Sequence, residues 1–186
     1  MLARAFSAFV AIFLAALAIP LSAAQAETVD FFQVDGGTYD ESVTPFEDFA
    51  GYEMGVRPVR VADMHAYLRS LAETSDRISV EVAGYSHERR PILTFTVTSP
   101  ENQANLESIR QTHLARLRGE AAPDAAPMVL WINWGVHGAE TAGMDGSIPL
   151  LYHMAAAKGP EIEAQLDNAV LIVTVIFNHD GHSRRV

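Results

Sequence analysis

Apolar residues recur along this chain with two different periods, and the switches between them outline its elements. Val61, Met64, Leu68 and Leu71 repeat at helical spacing and leave Arg69 and Glu73 for the opposite face, so residues 61–75 read as an amphipathic helix. Ile78, Val80 and Val82 then alternate with Ser79 and Glu81, the period of a strand with one wet face. After a polar turn at 84–90, Leu93, Phe95 and Val97 alternate with Thr94, Thr96 and Thr98, which predicts a second strand and a hairpin. Pro100 ends that strand. Residues 103–117 form a second helix with Leu106, Ile109 and Leu117 on its buried side, and a small-residue linker at 119–127 follows.

The later pattern is different. Residues 128–134 are a short continuous apolar run, as a central strand requires. A helix follows from near Glu140 through Leu150, Leu151 and Met154 to about Ala157, and Gly159 with Pro160 stops it. A short helix at 161–166 leads into 169–177, a segment rich in Val and Ile that reads as a strand buried on both faces. Strand, helix, strand is the unit of parallel pairing with crossover helices. The fold class is therefore α/β, with a mixed, mostly parallel sheet flanked by helices.

The amino-terminal end adds a compartment. Arg4 precedes an apolar run at 5–19, Pro20 breaks it, and Ala24-Gln25-Ala26 fits a small-x-small cleavage site. Residues 1–26 read as a signal peptide cleaved after Ala26, which places the protein in a periplasm or outside the cell with no membrane segment left. Residues 27–59 lack a sustained period and form an irregular lead-in whose Phe31, Phe32, Phe46, Phe49 and Tyr52 pack on the domain surface. Residues 60–186 make up the domain proper. With no cysteine there is no disulfide framework, so an exported chain of this kind relies on core packing. A formal net charge of −10 without a basic block excludes a nucleic-acid partner, because contacts to the phosphate backbone need a positive footprint. Nothing in the pattern sets an oligomeric state.

The stretch Trp131-Ile132-Asn133-Trp134-Gly135-Val136-His137-Gly138-Ala139-Glu140 carries the chemistry. An apolar strand ends in a glycine turn, and an imidazole and a carboxylate follow three positions apart where the next helix begins. Such a pair can reach one ion, and His, His and Glu with an open water position is a recurring zinc set in hydrolases. Gly135 lets the strand turn and Gly138 keeps bulk away from the ion. The spacing alone serves equally for a helix-capping or hydrogen-bonded histidine. Asp63 with His65, and His87 with Glu88, show how readily such neighbours arise.

Three stretches together resemble the metallocarboxypeptidases related to carboxypeptidase A. Residues 127–145, around Val136-His137-Gly138-Ala139-Glu140, resemble the family's zinc-binding segment. Gly84-Tyr85-Ser86-His87-Glu88-Arg89-Arg90-Pro91-Ile92 resembles its glycine-x-ser/thr-x-glu-gly-arg-pro turn. Residues 169–181, ending Phe177-Asn178-His179-Asp180-Gly181, resemble the strand before its asparagine-proline-aspartate-glycine turn. The order agrees, and the likeness runs from Val61 to about Gly181. It implies zinc as cofactor, His137 and Glu140 as two of its ligands, and an α/β sandwich with a mixed eight-stranded sheet of which this chain supplies roughly the amino-terminal half.

The implied activity is that of an exported zinc metallocarboxypeptidase, hydrolysing C-terminal peptide bonds of a peptide substrate through zinc-activated water. The family's third ligand, its carboxylate-binding arginine and asparagine, and its general-base glutamate have no counterpart here, so no catalytic residue is assigned. The chain reads as a fragment, inactive alone, whose last strand, 169–177, has an open edge. Arg89 stands where the family has glycine, His179 where it has proline, and Ala139 where relatives often carry asparagine or arginine. His179 and His182 belong to the stretch resembling the earlier turn and read as surface or turn histidines. His153 and His113 pack or cap on helix faces, and Arg184 and Arg185 form a solvated chain end. Three alternatives remain: a zinc-dependent N-acyl amino acid deacylase, a non-catalytic exported binding module that uses the half-site as a weak metal or peptide site, and a structural domain in which Glu140 merely begins a helix.

Overall fold

The computed structural model describes residues 37–186, so the expected signal segment and the aromatics Phe31 and Phe32 lie outside it. In chain order the elements are β1 (Thr38–Tyr39), α1 (Phe46–Ala50), α2 (Val61–Thr74), β2 (Ile78–Tyr85), β3 (Pro91–Val97), α3 (Pro100–Ala104), α4 (Leu106–Leu117), β4 (Met128–Asn133), α5 (Thr141–Ala156), β5 (Ala157–Lys158), α6 (Pro160–Asn168), β6 (Ala169–Thr174) and α7 (His179–Ser183). The two alternating segments form the expected hairpin, β2 with β3, and the sheet order is β2-β3-β6-β4. The chain is α/β with a mixed sheet, as expected. Its parallel pairing is confined to β4 with β6, and the other two pairings are antiparallel.

Register sets the core face. Phe95 lies opposite Val80 and Val173, and Val173 lies opposite Ile132. These residues join Met64, Leu68 and Leu71 of α2 and Met144, Ile148 and Leu151 of α5 in one core cluster. The threonine side of β3 is buried as well at Thr94 and, just past the strand, at Thr98. The Thr94 and Thr174 hydroxyls lie 3.1 Å apart, and the Thr98 hydroxyl donates to the carbonyls of Leu166 and Ala169 at 3.0 and 2.7 Å. Buried hydroxyls with such partners avoid most of their desolvation cost.

Several expectations are corrected. β4 is not central. It pairs with β6 on one side only, it is the edge of the sheet among the described residues, and Trp131 is 71% exposed. β6, expected to have an open edge, is instead an inner strand between β3 and β4. An apolar run does not distinguish the two positions, because both need apolar side chains on at least one face. The helix expected at 103–117 is two helices, broken at Asn105. Pro100 occupies the first helical turn of α3, behind Ser99, whose hydroxyl accepts from the Asn102 N–H at 3.4 Å. Of its expected buried residues only Ile109 is buried, and Leu117 is exposed at the far end of α4.

The stretch before residue 60 is not simply an irregular lead-in. β1 pairs antiparallel with β5, and Val43, Phe46, Met54 and Val59 enter the core. Phe46 is fully buried rather than packed on the surface, and meets Tyr67 and Tyr52 edge to face at 5.2 and 5.4 Å. Phe49 stays exposed.

His179 and His182 are not surface residues either: both are buried. α7 packs on α2, and the rings of His65 and His179 meet at 5.0 Å, nearly perpendicular. Burial, then the neighbouring His179 and Arg69, lowers the pKa of His65 to about 4. Burial is also the main cause lowering that of His179. No helix among the described residues is long and apolar enough to cross a membrane.

Two outcomes follow. Phe46→Ala should destabilise the protein by about 3–5 kcal/mol in equilibrium denaturation, the loss for a large aromatic in a packed core. A surface-packed Phe46 would cost far less. Because the unfolded histidine binds its proton near pH 6.5 and the folded one only near pH 4, the His65 contribution is intact above pH 6.5 and is lost as pH falls toward 4. Thermal midpoints measured from pH 7 to 4 should therefore fall less steeply in His65→Gln than in the parent chain.

Candidate metal centre

β4 ends at Asn133, but its pairing with the segment after β6 continues. The Trp134 N–H donates to the Thr174 carbonyl at 2.9 Å. The Phe177 N–H donates to the Trp134 carbonyl at 3.0 Å, and the Asn178 N–H to the Gly135 carbonyl at 2.7 Å. The chain then turns at Gly135, which has φ +67°, and a Cβ there would lie 2.6 Å from the Met144 sulfur. The left-handed backbone conformation favours glycine here, and a Cβ would also come within 3.3 Å of the Ile176 Cα.

Beyond the turn, the Glu140 N–H donates to the His137 carbonyl at 3.0 Å. This local closure brings the two expected donors together. His137 Nδ1 lies 3.2 Å from Glu140 Oε2, with each side chain 73% exposed. Glu140 occupies the N-cap position of α5, yet its side chain makes no capping hydrogen bond and faces the imidazole instead.

A tetrahedral zinc ion held by one nitrogen and one oxygen would separate those atoms by about 3.3 Å. The pair therefore suits one ion in both chemistry and spacing. No set of three His, Asp or Glu side chains converges as a metal group among the described residues.

Behind the turn, the backbone of α7 is in direct contact with it. A Cβ on Gly138 would lie 2.2 Å from both the Gly181 carbonyl carbon and the His182 nitrogen. His182 is fully buried, and its Nδ1 and Nε2 each lie 3.1 Å from a carbonyl oxygen, of Gly138 and of Val59 respectively. Neither nitrogen is left for an ion, so His182 does not supply the missing ligand. Asp145 of α5 accepts from the Val59 N–H at 3.1 Å. Burial raises the pKa of its carboxyl, partly offset by that bond and by His182.

A second cluster joins α7 to the β2–β3 turn. Asp180 accepts from the Ser86 hydroxyl at 2.7 Å, the Arg90 guanidinium at 2.6 Å and the Glu88 N–H at 2.9 Å. Burial raises its pKa, but these bonds outweigh that effect and hold it at about 2. Glu88 pairs with both Arg90 and Arg184, so Arg184 is solvated but not unpartnered. Arg89, which stands where the resemblance expects glycine, adopts φ +65°. The turn keeps its left-handed residue although the side chain does not favour it.

His153 packs as expected, with Nδ1 2.8 Å from the Tyr39 hydroxyl. The role of His182 was not legible in the sequence. The one available signal was its place beside Gly181 in a turn, which does not reveal burial.

Comparison with known proteins agrees with the motifs. The family model described as zinc carboxypeptidase matches residues 64–185, more than half of the chain. Comparison with curated proteins gives no match. Among solved structures, a metallo-carboxypeptidase from Burkholderia cenocepacia is 19% identical with a TM-score of 0.49, over 69% of this chain and 29% of that one. Carboxypeptidase A from Helicoverpa armigera is 17% identical with a TM-score of 0.48, over 68% and 26%. Bovine thrombin-activatable fibrinolysis inhibitor, solved with a tick carboxypeptidase inhibitor, is 12% identical with a TM-score of 0.47, over 68% and 33%. This chain spans about a quarter to a third of the length of these structures. On the family match, the chain belongs to the zinc carboxypeptidases.

Proposed function

We propose that this chain supplies part of the catalytic domain of an exported zinc metallocarboxypeptidase, with His137 and Glu140 as two of the protein donors to zinc. The observation that carries the reading is the 3.2 Å approach of His137 Nδ1 to Glu140 Oε2 at the end of β4, inside the segment matched by the family. When bound, zinc supplies Lewis-acid polarisation of a carbonyl and a lowered pKa for water.

The chain's own residues do the rest of what can be assigned. His137 and Glu140 offer one imidazole nitrogen and one carboxyl oxygen on an exposed face, where a peptide has access. Gly135 and Gly138 shape the turn that presents them. Residues 60–186 carry this part of the domain, and residues 1–26 are its export signal to a periplasm or the exterior. The substrate class is peptide, cleaved at its C-terminal bond. With two donors and no assigned general base, the chain alone has little or no activity. The family match does not favour the deacylase alternative.

Zinc binding by the purified chain tests the assignment. The parent chain should bind the ion weakly and lose it on dialysis. His137→Ala and Glu140→Ala should each abolish even that binding without loss of far-ultraviolet circular dichroism. Unchanged binding in both variants would remove the zinc assignment. Hydrolysis of a blocked dipeptide that stops on adding chelator, together with about one ion retained per chain, would overturn the expected inactivity.

A further inference from the structure

The two donors are themselves barely constrained, since both side chains are largely exposed and their one mutual contact is with each other. What holds them in place must act through the backbone between them. That backbone is Gly138-Ala139, and the Gly138 carbonyl faces the ring of His182 at 3.1 Å. A carbonyl can only accept, so the imidazole is the donor, and bonding two carbonyls at once calls for an N–H on each ring nitrogen.

The other ring nitrogen faces the Val59 carbonyl at 3.1 Å, and the N–H of that same residue donates to Asp145 on α5. α5 begins at Thr141, immediately after Glu140. The ties therefore close a ring: Gly138 to His182, His182 to Val59, Val59 to Asp145, and α5 back to Glu140. α7 is seated for this role by contact. Gly138 has no side chain to hold it off, and the Asn178 side chain accepts from the Gly181 N–H at 3.0 Å at the start of the helix.

Resting on the zinc reading above, we propose that His182 is a positioning residue for the His137–Glu140 pair. Through Nδ1 it fixes the peptide between the two donors, so that they are held close before any ion arrives. Without it, an arriving ion must order the turn itself, and affinity falls. Groups that orient ligands from behind typically carry tenfold or greater effects on metal affinity.

The test compares two substitutions that each keep one donor. Asn has its amide nitrogen near the place of Nδ1 and retains the tie to Gly138. Gln has its amide nitrogen near the place of Nε2 and retains the tie to Val59. Co2+ affinity, read by competition with a chromophoric chelator and by visible absorption of the bound ion, should fall about tenfold in His182→Gln and by much less in His182→Asn. Thermal midpoints, measured in parallel, are not expected to follow that order. A merely structural His182 would give affinities that track stability in both variants, and that result, or unchanged affinity in His182→Gln, would overturn the proposal. His137→Ala is the control. If it lowers affinity while His182→Gln does not, the zinc reading survives and the positioning role fails. If His137→Ala also has no effect, the pair is not the site and both readings fall.

Discussion

The candidate centre depends on β4 and β6 running parallel and staying paired past their last strand residues. Three backbone hydrogen bonds carry the pairing from Trp134 to Asn178. They bring two turns, 135–140 and 178–182, into contact at the same end of the sheet. Strand ends in α/β sheets are where side chains from different loops can converge, because parallel strands deliver their loops to the same side. A hairpin would have returned the chain on the spot and separated them. Glycine at 138 then allows backbone-to-backbone contact, with no side chain between the two turns.

That contact changes the meaning of the neighbouring polar residues. A histidine in a turn is ordinarily solvated and available. Here His182 is sealed between two carbonyls, and His179 lies buried against His65. Asp180, between them in sequence, points the other way and ties α7 to the β2–β3 turn through Ser86, Glu88 and Arg90. One five-residue helix thus connects the hairpin turn, α2 and the donor-bearing turn. Arg89 fits the same picture, since the hairpin turn keeps its positive φ, and with it the Asp180 contacts, without glycine.

The open side of β4 is the other consequence of the sheet order. Met128, Leu130 and Trp131 are exposed along a strand that has one partner among the described residues. An apolar edge of this kind can template pairing with another chain.

How much of this was legible in the sequence follows from the range of the interactions involved. The helix at α2, the β2–β3 hairpin and α5 were readable because each is set by apolar spacing within a dozen or so residues. The approach of His137 and Glu140 was readable for the same reason, as a three-residue spacing on a glycine turn, and the family was readable from three short motifs. The edge position of β4, the inner position of β6 and the break at Asn105 were not. The burial of His182 was also hidden, because its two partners lie 44 and 123 residues away. Local periodicity says which residues can be buried, but only tertiary packing decides which strand gains a second neighbour and which ring meets a distant carbonyl.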